Sequence, residues 1–274
     1  MLIFERKGDI VIRISKQRKK VKIMAKSLVI SHRGANRYAP QNTLPAFRKG
    51  YALGADGFET DVHITKDGKI VLCHNYTIDE TSDGCGEISK KTLADLKGYD
   101  FGKYFSDKFK GTEIPTIDEF LSFVETTDIT VLNIEIKSPK EAETAIVSET
   151  LKAVKEHGLF DKLLISSFDP KILLEAKKLD KNCQTGFLYA PNSPTLLQMA
   201  WKQLTFCKEI GVDAVHPHFL FVNKSFVERA HKMGLKVNPW TVNSEKQIDK
   251  MIELGVDGII TDFPDVVSGK LSRF

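Results

Sequence analysis

The sequence predicts an α/β fold, namely a (β/α)8 TIM barrel with a small insertion after strand 2. From Ser27 onward, short apolar runs alternate with helical patterns, which is typical of parallel strand–helix units. Nine runs have the character of strands, but 57–64 and 70–74 are joined by only five residues that include Asp67-Gly68. Because so short a connection makes an antiparallel hairpin, 70–74 is excluded as a barrel strand. Eight strands remain, the number that closes this barrel in a chain of this length.

The elements follow in a regular order. The predicted barrel strands are 28–31, 57–64, 131–137, 163–167, 185–189, 213–216, 236–240 and 258–262. The predicted helices are 43–53, one that opens at 116–119, 140–157, 171–179, 195–210, 224–233 and 245–254. Thr116 followed by Glu119 predicts a capping box at the start of the second helix. Residues from about 63 to 113 form the insertion, and residues 27–274 form one barrel domain.

Residues 1–26 differ from the rest of the chain in charge. They carry nine lysines and arginines against two carboxylates, a net +7, so the remaining residues sum to −3 of the total +4. A body of that charge is not expected to bind nucleic acid. We interpret 1–26 as a basic N-terminal arm that is solvated or caps the barrel as a strand pair. The alternative is weak contact between this arm and an anionic membrane surface.

Other broad classes are disfavoured by composition. The four cysteines are scattered without CxxC spacing, so the sequence predicts reduced thiols and no zinc site. No apolar run approaches the ~18 residues that a stable membrane span requires. The N-terminus lacks the basic, apolar, small-residue order of a signal peptide, so a cytoplasmic location is predicted. Nothing in the sequence indicates the oligomeric state.

The stretch 57–75 contains the strongest chemical signal. Glu59 and Asp61 share one face of a strand that otherwise suits a core, and buried carboxylates need a cation, a metal or a catalytic task. Glu135 and Lys137 share a face of the third barrel strand, and working groups in such barrels meet at the C-terminal strand ends. Three carboxylates suit Mg²⁺ or Ca²⁺ rather than zinc. The alternative is a buried network of Lys137 with the carboxylates and no metal.

A series of short motifs, in order from Leu28 to about Asp265, resembles the glycerophosphodiester phosphodiesterase family, the bacterial-type, phospholipase C-like barrels. The motifs are His32-Arg33-Gly34, Pro40-Gln41-Asn42-Thr43, Glu59-Thr60-Asp61-Val62, His74, the 81–86 turn, Ile114-Pro115-Thr116, Glu135-Ile136-Lys137, Trp240-Thr241-Val242-Asn243 and 258–264. The resemblance implies hydrolysis of a small-molecule glycerophosphodiester to glycerol 3-phosphate and an alcohol, with a divalent cation, Mg²⁺ or Ca²⁺, as cofactor.

The family's residue roles transfer to the matching positions. The resemblance implies that Glu59, Asp61 and Glu135 hold the metal. It makes His32 and His74 the acid–base pair, with His32 as acid and His74 as base or the reverse. Attack by the neighbouring glycerol hydroxyl, through a cyclic phosphate, is expected because proximity favours it. The predicted substrate-binding residues are Arg33 and Lys137 at the phosphate, Trp240 near the glycerol or alcohol, and Phe168, which is open between packing and lining the site.

Two departures from the family pattern leave alternatives open. Gln41 and Asn75 stand where the family usually has glutamate and aspartate, so each position loses a charge. One alternative is therefore a non-catalytic barrel that binds phosphodiesters. Another is a lysophospholipase D-like barrel that acts on lipid at a membrane surface. The sequence leaves two roles possible, packing or a place in the site, for three histidines: His63, His216 and His218. We interpret three other residues as structural: Cys73, His157 and His231.

Overall fold

The computed structural model of the chain describes residues 27–137, 144–190 and 203–273. Within these ranges the predicted barrel is confirmed. The predicted arm at 1–26 and the predicted helical residues 140–143 and 195–202 lie outside the described residues.

Eight parallel strands surround the core, in the order β8-β7-β6-β5-β4-β2-β1-β9. The strands are β1 Leu28–His32, β2 Gly57–Ile64, β3 Ile70–Leu72, β4 Val131–Ile136, β5 Leu163–Ser167, β6 Gln184–Tyr189, β7 Ala214–Pro217, β8 Lys236–Val237 and β9 Gly258–Thr261. Hydrogen bonds from Asp257 N to Val237 O (2.9 Å) and from Ile260 N to Pro239 O (3.0 Å) join β8 to β9 and close the barrel. β8 is shorter than predicted, because Pro239 has no N–H to donate to a neighbouring strand.

Most of the helices cover the outside of the barrel strands, and one of them, Leu93–Lys97, lies in the insertion. The helices are α1 Leu44–Ala52, α2 Leu93–Lys97, α3 Ile117–Glu125, α4 Thr144–Glu156, α5 Pro170–Leu179, α6 Gln203–Glu209, α7 Lys224–Lys232, α8 Glu245–Leu254 and α9 Pro264–Leu271. The predicted capping box is present, since Glu119 N donates to Thr116 Oγ1 (3.2 Å) and Thr116 N donates to Glu119 Oε2 (2.8 Å). α9 was not predicted; it begins at a proline, a residue suited to the first helical position.

The predicted hairpin is confirmed and carries the insertion. β3 pairs antiparallel with the end of β2, and Cys73 N donates to Asp61 O (3.1 Å), which brings His74 beside the carboxylates. Behind it, the insertion has a separate apolar cluster of Val71, Cys73, Ile78, Ile88, Leu96, Phe101 and Ile114. Burial in this cluster raises the pKa of the Cys73 thiol to about 11, in keeping with an unreactive residue.

His216 lies inside the barrel rather than at its mouth. Its side chain is fully buried, with Nε2 3.1 Å from Asn238 Nδ2, and the neighbouring Gly186 leaves the space that the imidazole fills. A Cβ at position 186 would lie 2.7 Å from His216 Nε2. Burial lowers the pKa of His216 to about 3, so the imidazole is neutral at ordinary pH.

We expect His216 to make the fold sensitive to acid. Its folded pKa of about 3 lies below the ordinary value of 6.5, so the unfolded chain binds more protons between these values. Stability is therefore lost as pH falls below 6.5, with a contribution of about 2 kcal/mol between pH 7 and pH 5. Urea unfolding at both pH values should show a smaller loss for His216→Gln than for the parent chain. Equal losses in the two proteins would show that another group controls acid unfolding.

Candidate active site

Three carboxylates converge at the C-terminal ends of β2 and β4. The strand register places Asp61 beside Glu135, and Glu59 lies on the same face one pleat earlier. All three side chains are buried, and one oxygen from each lies within 4.8 Å of the others. The three predicted metal ligands are therefore brought together.

Two cations accompany the carboxylates. Lys137 Nζ bridges Glu135 Oε1 (2.6 Å) and Asp61 Oδ1 (2.8 Å), and Arg33 Nε lies 3.4 Å from Asp61 Oδ2. The sequence left open a buried network between Lys137 and the carboxylates. The structure contains such pairing, because Lys137 contacts two of the three carboxylates. Among the described residues, two positive charges against three carboxylates nevertheless leave the cluster one positive charge short.

The backbone at this site is held in an unusual conformation. Among the described residues, Arg33 and Asn42 are the two non-glycine residues with positive φ, each at 55°. Such a conformation costs on the order of 1 kcal/mol or more and persists where its surroundings impose it. Here Arg33 N donates to Glu59 Oε2 (3.0 Å), and Asn42 Nδ2 donates to Asp61 Oδ2 (2.9 Å). The left-handed turns therefore aim donors at the carboxylates.

The protonation of the cluster reflects its excess of negative charge. Burial, and then the charges of Asp61 and Glu135, raise the pKa of Glu59 well above its usual range. Burial raises the pKa of Glu135 to about 7, while Lys137 opposes the rise. For Asp61, burial is outweighed by Lys137 and Arg33, which lower its pKa. An all-oxygen donor set that lacks positive charge fits a hard divalent cation.

The two histidines flank the carboxylates from different elements. His32 ends β1, with Nδ1 2.6 Å from Asp262 Oδ1 and Nε2 3.9 Å from Glu59 Oε2. His74 follows β3, and its Nδ1 lies 2.6 Å from Asn75 Oδ1. Burial lowers the pKa of His74 to about 4, and it also lowers the pKa of His32, with Arg33 adding to that effect.

A cavity of about 150 Å³ lies between the histidines, the cations and the carboxylates. Its lining residues are His32, Arg33, Glu59, His74, Asn133, Glu135, Lys137, Phe168, Leu188, Trp240 and Ile260. Eight of the nine predicted site residues line it, and the ninth, Asp61, lies behind them in contact with Lys137. Phe168 and Trp240 form an apolar wall, with ring centroids 5.7 Å apart and planes at 87°. A larger cavity of about 780 Å³ lies at the opposite, N-terminal ends of the strands, away from these residues.

Gln41 and Asn75, the two residues that depart from the family pattern, both form hydrogen bonds at the site. Gln41 Oε1 accepts from Arg33 Nη1 (2.6 Å), so the amide supports the guanidinium without a charge. Asn75 accepts from His74 and donates through Nδ2 to Glu80 Oε2 (2.7 Å). His63 Nε2 lies 3.3 Å from the backbone oxygen of His74, so His63 packs beneath the site rather than lining the cavity.

Several residues beside the site were missed by reasoning from the sequence. Asp262 contacts His32 and is held by Asn36 and Asn243, while Asn42 contacts Asp61. Asp262 was accessible to the strand-end argument, because it directly follows the last strand. Asn42 and Asn243 stand within motifs that resemble the family, but an uncharged side chain in a loop is ordinary and indicated no role for either residue.

The sequence matches a known protein family. The Glycerophosphoryl diester phosphodiesterase family matches residues 32–266. The chain belongs to this family. A glycerophosphodiester phosphodiesterase from Caldanaerobacter subterraneus subsp. tengcongensis is 38% identical over 242 residues, which cover 88% of this chain and 96% of that protein. One from Bacillus altitudinis is 31% identical over 239 residues, covering 86% and 95%.

Solved structures of glycerophosphodiester phosphodiesterase relatives share the barrel. A putative glycerophosphoryl diester phosphodiesterase from Silicibacter pomeroyi superposes with a TM-score of 0.83 at 27% identity, covering 90% of this chain and 93% of that one. A phosphodiesterase from Oleispira antarctica, solved in complex with the product sn-glycerol-3-phosphate, has a TM-score of 0.81 at 28% identity, covering 89% and 96%. The predicted family and barrel are confirmed, as is the prediction of an enzyme of the phosphodiesterase class. In the described part of the chain, no helix is long and apolar enough to cross a membrane.

Proposed function

We propose that this chain hydrolyses small glycerophosphodiesters to glycerol 3-phosphate and an alcohol, with a divalent cation. One observation carries the proposal: at one end of the barrel, three carboxylates have oxygens within 4.8 Å of one another and lie beside two histidines. The solved relative that contains sn-glycerol-3-phosphate supports this choice of product.

The metal would be held by Glu59, Asp61 and Glu135. All of the donors are oxygens, which suit Mg²⁺ or Ca²⁺. When bound, such an ion neutralises negative charge that develops on phosphoryl oxygens. The ion would also neutralise the negative charge of the three carboxylates that Arg33 and Lys137 do not balance.

Substrate binding rests on the two cations and the apolar wall. The Arg33 guanidinium and the Lys137 ammonium suit the phosphate, because a phosphodiester is an anion whose charge increases in the transition state. The wall of Phe168 and Trp240 suits the carbon skeleton of the glycerol or of the alcohol. A cavity of about 150 Å³ favours a small head group over a large one.

Proton transfer is assigned to the two histidines. The low pKa of His74 leaves its imidazole neutral, so Nε2 accepts the proton of the glycerol 2-hydroxyl while its oxygen forms a bond to phosphorus. The bond from phosphorus to the alcohol oxygen breaks, and the imidazolium form of His32, which is protonated on both ring nitrogens and paired with Asp262 through Nδ1, gives that oxygen the proton of Nε2. Water then opens the cyclic phosphate, with the two histidines in reversed roles.

The test is release of glycerol 3-phosphate from glycerophosphocholine and glycerophosphoethanolamine, with Mg²⁺ or Ca²⁺ and with a chelator. We expect release with a metal and none with the chelator. No release under any metal condition would refute the enzymatic proposal, and chelator-resistant release would refute the metal. Choline release from lysophosphatidylcholine, compared with choline release from glycerophosphocholine, examines the lipid-acting alternative, which predicts faster turnover of the lipid. The cytoplasmic location stays a prediction.

A further inference from the structure

We propose that Asp262 is a positioning residue for His32, holding the proton on Nδ1 so that Nε2 is presented to the cavity. The role of His32 in catalysis rests on the proposed function, but the side-chain arrangement that Asp262 imposes does not.

The Asp262 carboxylate is held on both of its oxygens. Oδ1 lies 2.6 Å from His32 Nδ1 and accepts from Asn36 Nδ2 (2.8 Å). Oδ2 accepts from Asn243 Nδ2 (2.6 Å), and Asn243 Oδ1 accepts from Asp262 N (3.0 Å). These residues come from the turn after β1, the loop before α8 and the end of β9. Three elements of the barrel therefore determine where the carboxylate lies.

This arrangement selects one protonation pattern in His32. An ionised carboxylate only accepts hydrogen bonds, so His32 Nδ1 is the donor in the 2.6 Å contact. In the neutral ring the remaining nitrogen, Nε2, is then the free one, and it is the atom that faces Glu59 and the cavity. Fixing the tautomer of a working imidazole through its second nitrogen is a general role of carboxylates.

In the described part of the chain, the second histidine has no such carboxylate. His74 also uses Nδ1, but its partner is the neutral amide of Asn75, and the Glu80 carboxylate lies one hydrogen bond further away. Of the two histidines, His32 alone contacts a carboxylate through Nδ1. The acid form of His32 carries a second proton, on Nε2. When that proton passes to the alcohol oxygen and the phosphorus–oxygen bond breaks, the Nδ1 proton stays on the imidazole, hydrogen-bonded to Asp262, and the ring remains in place for the next step.

The experiment compares Asp262→Asn with the parent chain. For glycerophosphocholine we expect kcat to fall about a hundredfold, within the range for acid–base catalysis, with KM changed less than about threefold. For a glycerophosphoryl p-nitrophenyl ester, whose leaving group needs no proton, the fall in kcat should be below about tenfold. Nitrogen-15 NMR of the His32 ring should show Nδ1–H in the parent and a mixture of tautomers in the variant. Equal losses on both substrates with an unchanged NMR tautomer would overturn the proposal.

The control is Asp265→Asn. Asp265 lies three residues away and accepts from Tyr38 OH (3.0 Å) rather than from a histidine. It should leave kcat, KM and the His32 tautomer unchanged. If Asp262→Asn does not fold, Asn36→Ala removes one donor from the same carboxylate, and we expect it to change kcat in the same direction; an unchanged kcat in that variant would count against the proposal. If the parent hydrolyses no glycerophosphodiester, the proposed function fails, while the NMR measurement still decides whether Asp262 positions His32.

Discussion

Replacing Asp61 with asparagine is expected to lower kcat/KM by about a thousandfold, or about 4 kcal/mol of transition-state stabilisation. Asp61 is fully buried and contacts Lys137, Arg33 and Asn42. The amide removes a metal-ligand charge and leaves Lys137 and Arg33 without a shared partner. Steady-state kinetics with glycerophosphocholine and a titration of Mg²⁺ by calorimetry measure both consequences, and metal affinity should fall together with activity.

The matched control is Asp67→Asn. Asp67 lies in the exposed turn of the β2–β3 hairpin and accepts from Thr65 Oγ1 (2.6 Å) and Leu93 N (3.0 Å), away from the cavity. It should reduce stability slightly and leave kcat/KM and metal binding unchanged. An Asp61→Asn variant that retained a tenth of the activity, with undiminished Mg²⁺ affinity, would contradict the assignment of Asp61 as a ligand.

Replacing His74 with alanine is expected to reduce kcat by about a hundredfold to ten-thousandfold, the range for loss of a general base. Metal affinity should be nearly unchanged, which separates this variant from Asp61→Asn. The alanine leaves space where the imidazole stood, so added imidazole should restore part of the rate. The measurement is kcat against imidazole concentration at saturating Mg²⁺.

The pH profile supplies a second readout for His74. A general base works in its unprotonated form, so activity is lost as pH falls through its pKa. Since burial lowers the pKa of His74 to about 4, the parent should keep its base in working form at pH 6. His157→Gln is the control, because His157 pairs with Glu125 on the outer surface, with Nδ1 2.7 Å from Oε1. A fully active His74→Ala enzyme, or one unaffected by imidazole, would transfer the role to another group.

The barrel and its cluster of three carboxylates were predictable because both depend on local periodicity. Alternation along β2 placed Glu59 and Asp61 on one face, and the rule that chemistry sits at strand ends brought in Glu135 and Lys137. The Asp67-Gly68 turn identified β3 as a returning strand. These arguments need only the neighbours of each residue along the chain.

The parts that were missed depend on contacts between distant residues. Asp262 meets His32 across 230 positions of sequence, and Asn243 meets Asp262 through the geometry of two loops. No periodicity encodes such hydrogen bonds. The left-handed conformation of Arg33 is likewise imposed from outside, by its bond to Glu59 rather than by its own preference.

The insertion that carries His74 has an apolar cluster distinct from the one that surrounds the barrel strands. The three proposed metal ligands, by contrast, lie on β2 and β4, whose register is tied to the whole sheet. Substitutions in the insertion are therefore expected to change the surroundings of His74 while the positions of the three carboxylates stay as they are. The alcohol specificity of such an enzyme is therefore expected to respond to substitutions in the insertion, while the hydrogen bonds that close the barrel remain unchanged.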